Sequence, residues 1–243
     1  MTASGKIRHW RTKNGCNLYR VLSGRSNAYL LVKENNILLV DTGNNPTAEN
    51  LAENIESLQA GISDISFLIL THTHFDHCRA AKKIKDISEC KIIVSAAAES
   101  SIKNGYTILP AGTFPVTKPI ARLGHLIGKA GFGYEVFQPD ILVHDEYDMN
   151  IAETKIRIIG TKGHSEDSIS VIVDDQIALV GDTLFGVFKN SVFPPFADNA
   201  GKMIDSWHSL LHTGCELFLP GHGKEIGRSA LQLEYNRYGL RHS

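Results

Sequence analysis

Residues 71–78 read THTHFDHC and follow directly on the apolar run at 66–71, SFLILT. An extended chain points residues i and i+2 to the same side. His72 and His74 therefore send both imidazoles into one space just beyond a strand end. Asp76 and His77 come after the turn and address a neighbouring point. Four nitrogen and oxygen donors packed this closely can supply ligands to two adjacent metals.

Working outward, three later stretches share one grammar, an apolar strand that ends in a polar residue beside glycine. IRIIGTKGH ends at Gly163-His164, IALVGD at Gly181-Asp182, and LFLPGHG at Gly221-His222-Gly223. Glycine beside a ligand lets backbone approach closely or adopt positive φ. Upstream, LLVDTG places Asp41 at another strand end. Beside a metal site, Asp41 could accept a hydrogen bond from a ligating imidazole and fix its tautomer.

The pattern between these points alternates strands and helices. Residues 5–21 read as two strands around an Asn14-Gly15 turn, followed by strands at 27–33 and 36–40. Helical spacing covers 46–60, with Pro46 at its start. A helix is expected over 76–87, a strand over 91–95 and a short helix over 96–103. Strands return at 155–160, 168–173, 176–180 and 216–219, and helices at 202–211 and 229–238. Residues 104 to about 140 carry four prolines and six glycines among aromatic residues. This reads as an irregular insertion, within bounds of about 104–150, that covers the mouth of a site and offers a surface for a possible homodimer. The remainder of 1–243 is expected to be a single α/β domain with sheet packed on sheet and helices outside.

Composition narrows the class. A formal net charge of −1 supplies no overall basic field for nucleic acid or an anionic membrane. A small-molecule substrate is the expected partner. The N-terminus lacks an apolar signal region, and no run is long enough for a transmembrane helix. The four cysteines form no C-x-x-C pair, which fits a cytoplasmic protein without disulfides.

The series Asp41, His72-x-His74-x-Asp76-His77, His164, Asp182, His222 resembles the five motifs of the metallo-β-lactamase superfamily, in order, from about residue 27 to 222. The resemblance implies a four-layer αββα sandwich with the site at one edge of the two sheets. It implies His72, His74 and His164 on one metal, Asp76, His77 and His222 on the other, and Asp182 bridging. The two divalent ions would be zinc, with iron or manganese as the other fits. A hydroxide held between them would be the nucleophile, and Asp76 would orient it and pass its proton to the leaving group.

The chain departs from the family pattern at two places. Cys78-Arg79-Ala80 stands where many members have a variable residue and Gly-Gly. Ser165-Glu166-Asp167-Ser168 stands where many have Thr-Pro-Gly-Ser. Arg79 and Glu166 or Asp167 read first as solvated charges with no role, with a pairing between them as the alternative. Cys78 reads as a small helix residue, and His9, His125, His144, His208, His212 and His242 as ordinary histidines, with His125 the nearest to an exception. Tyr106, Tyr134 and Tyr147 are hydroxyl donors in or beside the insertion.

The motifs THTHFDH and PGHG also resemble glyoxalase II, which continues into a glutathione-binding helical domain, whereas twenty-one residues follow His222 here. N-acyl-homoserine lactonases are similar in length and ligand set. The expected activity is hydrolysis of a small ester, thioester or lactone with an apolar part. The alternatives are a mononuclear iron persulfide dioxygenase and a metal-free binding or regulatory protein on the same fold.

Overall fold

The structure is a computed structural model that describes residues 7–239; His242 lies outside them. Two sheets form its centre. The first has seven strands in sequential order: β1 (Arg8–Arg11), β2 (Asn17–Leu22), β3 (Ala28–Lys33), β4 (Asn36–Val40), β5 (Ile65–Ile69), β6 (Lys91–Ser95) and β7 (Ile141–Val143). The second has six: β8 (Glu146–Ile151), β9 (Thr154–Gly160), β10 (Ile169–Val173), β11 (Ile177–Gly181), β12 (Leu217–Pro220) and β13 (Ile226–Gly227), running β13-β12-β11-β10-β9-β8.

Strand periodicity explains how these sheets are buried on both faces. In β3 and β4, Leu30, Ile37 and Leu39 pack toward helices, while Tyr29, Leu31, Leu38 and Val40 pack between the sheets. In β10 and β11, Val171 and Leu179 join that inter-sheet core, while Ile172 and Val180 face the opposite helical layer. These four central strands are therefore mostly apolar along their length, as expected when both faces are covered.

The outer layers are helical. Helices α1 (Glu49–Glu56), α3 (Ala81–Ser88) and α4 (Glu99–Asn104) bury Leu51, Ile55, Ile84 and Ile102 against the first sheet. Helices α7 (Ala200–His212) and α8 (Arg228–Gly239) bury Met203, Trp207, Leu210 and Leu231 against the second. The architecture is the expected αββα sandwich.

Two expectations need correction. The helix expected over 76–87 is split into α2 (Phe75–Cys78) and α3. Thr42 pins the join: its N–H donates to His77 O at 2.7 Å, and its Oγ1 accepts from Ala80 N at 3.2 Å. The segment expected to be irregular contains α5 (Thr117–Ile127) and α6 (Lys129–Phe132). Pro119 falls in the first turn of α5, where a missing N–H costs nothing. Residues 141–151 add β7 and β8 to the sheets, so the stretch without strands ends near 140.

Strands β4, β5, β6 and β7 run parallel, as do β11 and β12. Their carboxyl ends open toward one edge of the sandwich. The N–H of Ile169 donates to Thr71 O at 2.8 Å, and that of Asn27 to Gly221 O at 2.7 Å, so the two sheets are joined at this edge. The crevice beyond carboxyl strand ends is where open α/β sheets place their ligands.

Candidate metal centre

Every loop named by the sequence motifs emerges at this edge. Asp41 follows β4, the 71–78 stretch follows β5, His164 lies between β9 and β10, Asp182 follows β11, and His222 follows β12. Three overlapping groups of donor atoms result: His72, His74 and His164; His72, His77 and Asp182; and Asp76, His77 and His222, each with its ligand atoms within 4.8 Å of one another.

The outward nitrogens of four imidazoles are fixed by acceptors, which sets their tautomers. Thr71 Oγ1 donates to Asp41 Oδ2 at 2.8 Å, so its lone pair faces His72 Nδ1 at 3.1 Å. His74 Nε2 donates to Ile108 O at 3.2 Å, His77 Nδ1 to Asp41 Oδ2 at 2.9 Å, and His164 Nδ1 to Phe196 O at 2.9 Å. Lone pairs on His72 Nε2, His74 Nδ1, His77 Nε2 and His164 Nε2 are left facing inward. An outer acceptor that orients the ring is the usual support of a metal-ligating histidine.

The inner atoms crowd one another. His74 Nδ1 and His164 Nε2 are 3.0 Å apart, and His77 Nε2 and His222 Nε2 are 3.3 Å apart. Asp182 stands between the two halves: Oδ1 is 3.4 Å from His77 Nε2, and Oδ2 is 3.2 Å from His222 Nε2 and 3.7 Å from His164 Nε2. Asp76 Oδ2 is 3.5 Å from His222 Nε2. Neighbouring donors around a tetrahedral ion with bonds of 2.0–2.1 Å lie about 3.3 Å apart, so these separations suit ligand edges.

Two buried atoms of the site, His72 Nε2 and Asp182 Oδ1, have no hydrogen-bond partner. Such orphans are costly unless a cation satisfies them. The donor set therefore fits the divalent metals that this chemistry calls for. The field points the same way. Burial lowers the pKa of His72 well below its usual value, lowers that of His74, and takes His164 down to about 4. Burial also opposes protonation of His77, but Asp182 and Asp41 outweigh it and push its pKa up to about 10. Burial likewise opposes ionisation of Asp182, yet His222 and His77 hold its carboxyl well below the usual range. Three carboxylates, Asp41, Asp76 and Asp182, thus favour positive charge here.

Glycine is required beside the ligands. Gly163 has φ +132°, and a Cβ there would lie 2.2 Å from Met203 N; a Cβ on Gly221 would lie 2.4 Å from Asp182 Oδ1 and 2.6 Å from His77 Cε1.

A cleft of about 420 Å³ opens on this centre. His74, Asp76, His164, Asp182 and His222 form its floor, and its walls include Leu109, Ile120, Leu123, Phe132, Phe185 and Phe196. Arg25 is the one charged wall residue among the described residues.

Several side chains were not legible as site residues. Asp167 accepts from Thr73 N at 2.8 Å and from Thr73 Oγ1 at 2.6 Å, which fixes the residue between His72 and His74. Tyr134 bonds Thr107 Oγ1 at 2.8 Å, and Thr107 in turn bonds Thr73. Tyr134 is thus a buried prop, and none of Tyr106, Tyr134 and Tyr147 lines the cleft. The alternative, a pairing of Arg79 with Glu166 or Asp167, does not occur. Arg79 donates to Gly131 O and Gly133 O and covers the Phe75 ring, while Glu166 pairs with Lys162 and Lys202. The 131–133 carbonyls take up the Arg79 guanidinium, and Thr73 takes up Asp167. His125 holds Leu109 O from α5, and Cys78 is buried with its thiol pKa raised well by burial.

The sequence pattern of the metallo-β-lactamase superfamily matches residues 23–222. The chain belongs to this superfamily. The superfamily typically binds divalent metals, and the chain resembles proteins named as metallo-hydrolases. It is 30% identical over 161 residues to a probable metallo-hydrolase of Methanocaldococcus jannaschii, covering 66% of this chain and 68% of that one. It is 26% identical to a probable metallo-hydrolase of Bacillus subtilis, covering 83% and 86%. A hydroxyacylglutathione hydrolase of Francisella tularensis is 25% identical, and the match spans 79% of this chain but 58% of the enzyme. Among solved structures, the superfamily fold recurs in an archaeal member from Sulfolobus tokodaii, with TM-score 0.65, 18% identity and coverage of 90% and 85%. It recurs also in a β-lactamase from Chitinophaga pinensis, with TM-score 0.68, 15% identity and coverage of 93% and 89%. Among the described residues, no helix is long and apolar enough to cross a membrane.

Proposed function

We propose that this superfamily member is a binuclear metallo-hydrolase acting on a small ester, thioester or lactone with an apolar part. The observation that carries the reading is the position of Asp182, whose two oxygens face ligand histidines of both halves at the floor of an apolar cleft. His72, His74 and His164 would hold one ion, and Asp76, His77 and His222 the other. Zinc is the simplest fit, with iron or manganese next. When bound, the pair supplies a water acidified to a pKa of about 7 and a Lewis acid for the carbonyl oxygen.

The chain's own residues do the rest. Asp76 lies at the cleft surface with 17% of its side chain exposed, placed to orient the attacking water and to deliver its proton to the leaving group. Asp41 holds the His77 ring from behind. The apolar walls bind the acyl part and exclude water, and the 104–134 segment supplies most of them, in keeping with a cover over the site mouth. No side-chain nucleophile is needed: the cysteines are all buried. The second ligand group, Asp76, His77 and His222, favours this reading over a one-iron dioxygenase.

The test is a panel of esters, thioesters and lactones of matched chain length. Metal-loaded protein should hydrolyse at least one class and lose that turnover with a chelator. Asp76→Ala should lower kcat by at least about 100-fold, the scale of a positioned acid or base. No turnover across the panel by fully loaded protein would sink the reading.

A further inference from the structure

The rim of the cleft is unlike the rest of the surface. Seven of the most exposed large apolar residues fall between 108 and 136, among them Ile108 (68% exposed), Val116 (72%) and Leu126 (85%). On the opposite lip, Val187 and Phe188 are exposed as well. The lips meet through Phe114, whose ring centroid is 6.1 Å from that of Phe188. Exposed apolar residues gathered in this way mark an interaction site.

Its charge is equally one-sided. Residues 104–134 and 183–197 contain no Asp or Glu, where the chain's average density would place about five. They carry Lys118, Arg122, Lys129 and Lys189. Lys118, Arg122 and Lys189 are exposed and have no ion-pair partner among the described residues. Helix α5 carries both properties: Thr117, Ala121 and Gly124 are buried, while Ile120, Leu123 and Leu126 stand exposed beside Lys118 and Arg122. An exposed helix with apolar and basic residues together is the form that lies in the plane of an anionic lipid surface.

We propose that this rim docks on an anionic lipid bilayer, with the mouth of the cleft turned toward the lipid. A substrate in the cleft would cover Ile120 and Leu123, which line it, but not Leu126 or Val116, which do not. A second copy meeting the face through a two-fold axis would set these cations against their own counterparts with no acid to pair them. The near-neutral net charge of the chain hides the patch, because acidic residues elsewhere balance it. The proposal departs from the expectation of no membrane partner, which rested on net charge alone.

The test uses the full, metal-loaded chain sedimented with vesicles of phosphatidylcholine alone or with phosphatidylglycerol. The protein should partition at least about tenfold more strongly onto the phosphatidylglycerol vesicles, and high salt should release it. Leu126→Glu, and separately Lys118→Glu with Arg122→Glu, should each weaken partitioning by about tenfold with the melting temperature kept. Equal partitioning onto both vesicle types, or none, would overturn the proposal. So would a solution dimer that Leu126→Glu converts to monomer, since the face would then be a contact between copies. Partitioning is read without turnover, so the result is independent of the hydrolytic reading.

Discussion

Asp41→Asn isolates the support behind the ligands. The Asp41 carboxylate is buried and accepts three hydrogen bonds: from Thr71 N at 2.8 Å, Thr71 Oγ1 at 2.8 Å and His77 Nδ1 at 2.9 Å. Its backbone sits at φ +61°, a left-handed conformation that Asn adopts more readily than Ala, so Asn keeps the loop. The amide oxygen can still accept from Thr71 N. The amide NH₂, however, replaces the oxygen that received the other two protons. His77 must then accept at Nδ1 and carry its proton on Nε2, facing the site. If Thr71 Oγ1 turns its proton toward His72, that ring flips in the same sense. Ligation can be recovered only by setting two N–H groups against each other. One opposed buried donor costs about 1–3 kcal/mol, or roughly 10–100-fold in metal affinity, the scale known for such supports. Competition with a chromophoric chelator at neutral pH measures the affinity, and circular dichroism verifies the fold. A folded Asp41→Asn protein with wild-type affinity for both ions would refute the reasoning.

Four further outcomes are expected. Asp182→Ala should lower both bound metal and turnover by at least about tenfold; wild-type metal content would refute a bridging role. Gly221→Ala changes no ligand, yet its Cβ would collide with Asp182 and His77, so elemental analysis should find at least one ion lost from a folded chain. Arg79→Ala removes the bonds to Gly131 and Gly133 and the Phe75 contact, about 1–2 kcal/mol, and should lower the melting temperature by about 2–6 °C; an unchanged melt would contradict this tether. Asp140 accepts from Lys85 and from Ile92 N; burial raises its pKa, but the Lys85 bond outweighs this and the net shift is downward. A lowered carboxyl stabilises the fold above its unfolded pKa of about 3.9 and loses that contribution as pH falls through the folded value. Asp140→Asn should therefore melt below wild type at neutral pH, with the gap closing below about pH 4; a gap that widens in acid would reverse the sign.

The sequence made the two sheets legible because their strands are apolar on both faces, and it made the donor set legible because ligands must be His or Asp at strand ends. It hid what acts through the main chain. The carbonyls of Ile108 and Phe196 that orient His74 and His164 have no side-chain signature. Asp167 stands far along the chain from the Thr73 it fixes. Helix α5 was obscured by Pro119 and Gly124; Gly124 is kept small for a tertiary reason, since a Cβ there would lie 2.7 Å from Leu109 Cδ1. Strand β8, EYDMNI, was missed because its apolar residues alternate weakly and it gains its place by pairing with residues 154–159 of β9.

Everything in the functional account rests on two ions sharing Asp182. Elemental analysis of protein purified with neither added metal nor chelator tests that directly, as moles of each metal per chain. The account predicts two divalent ions per chain, zinc or manganese foremost. One iron per chain with the Asp76, His77 and His222 group unfilled would contradict it.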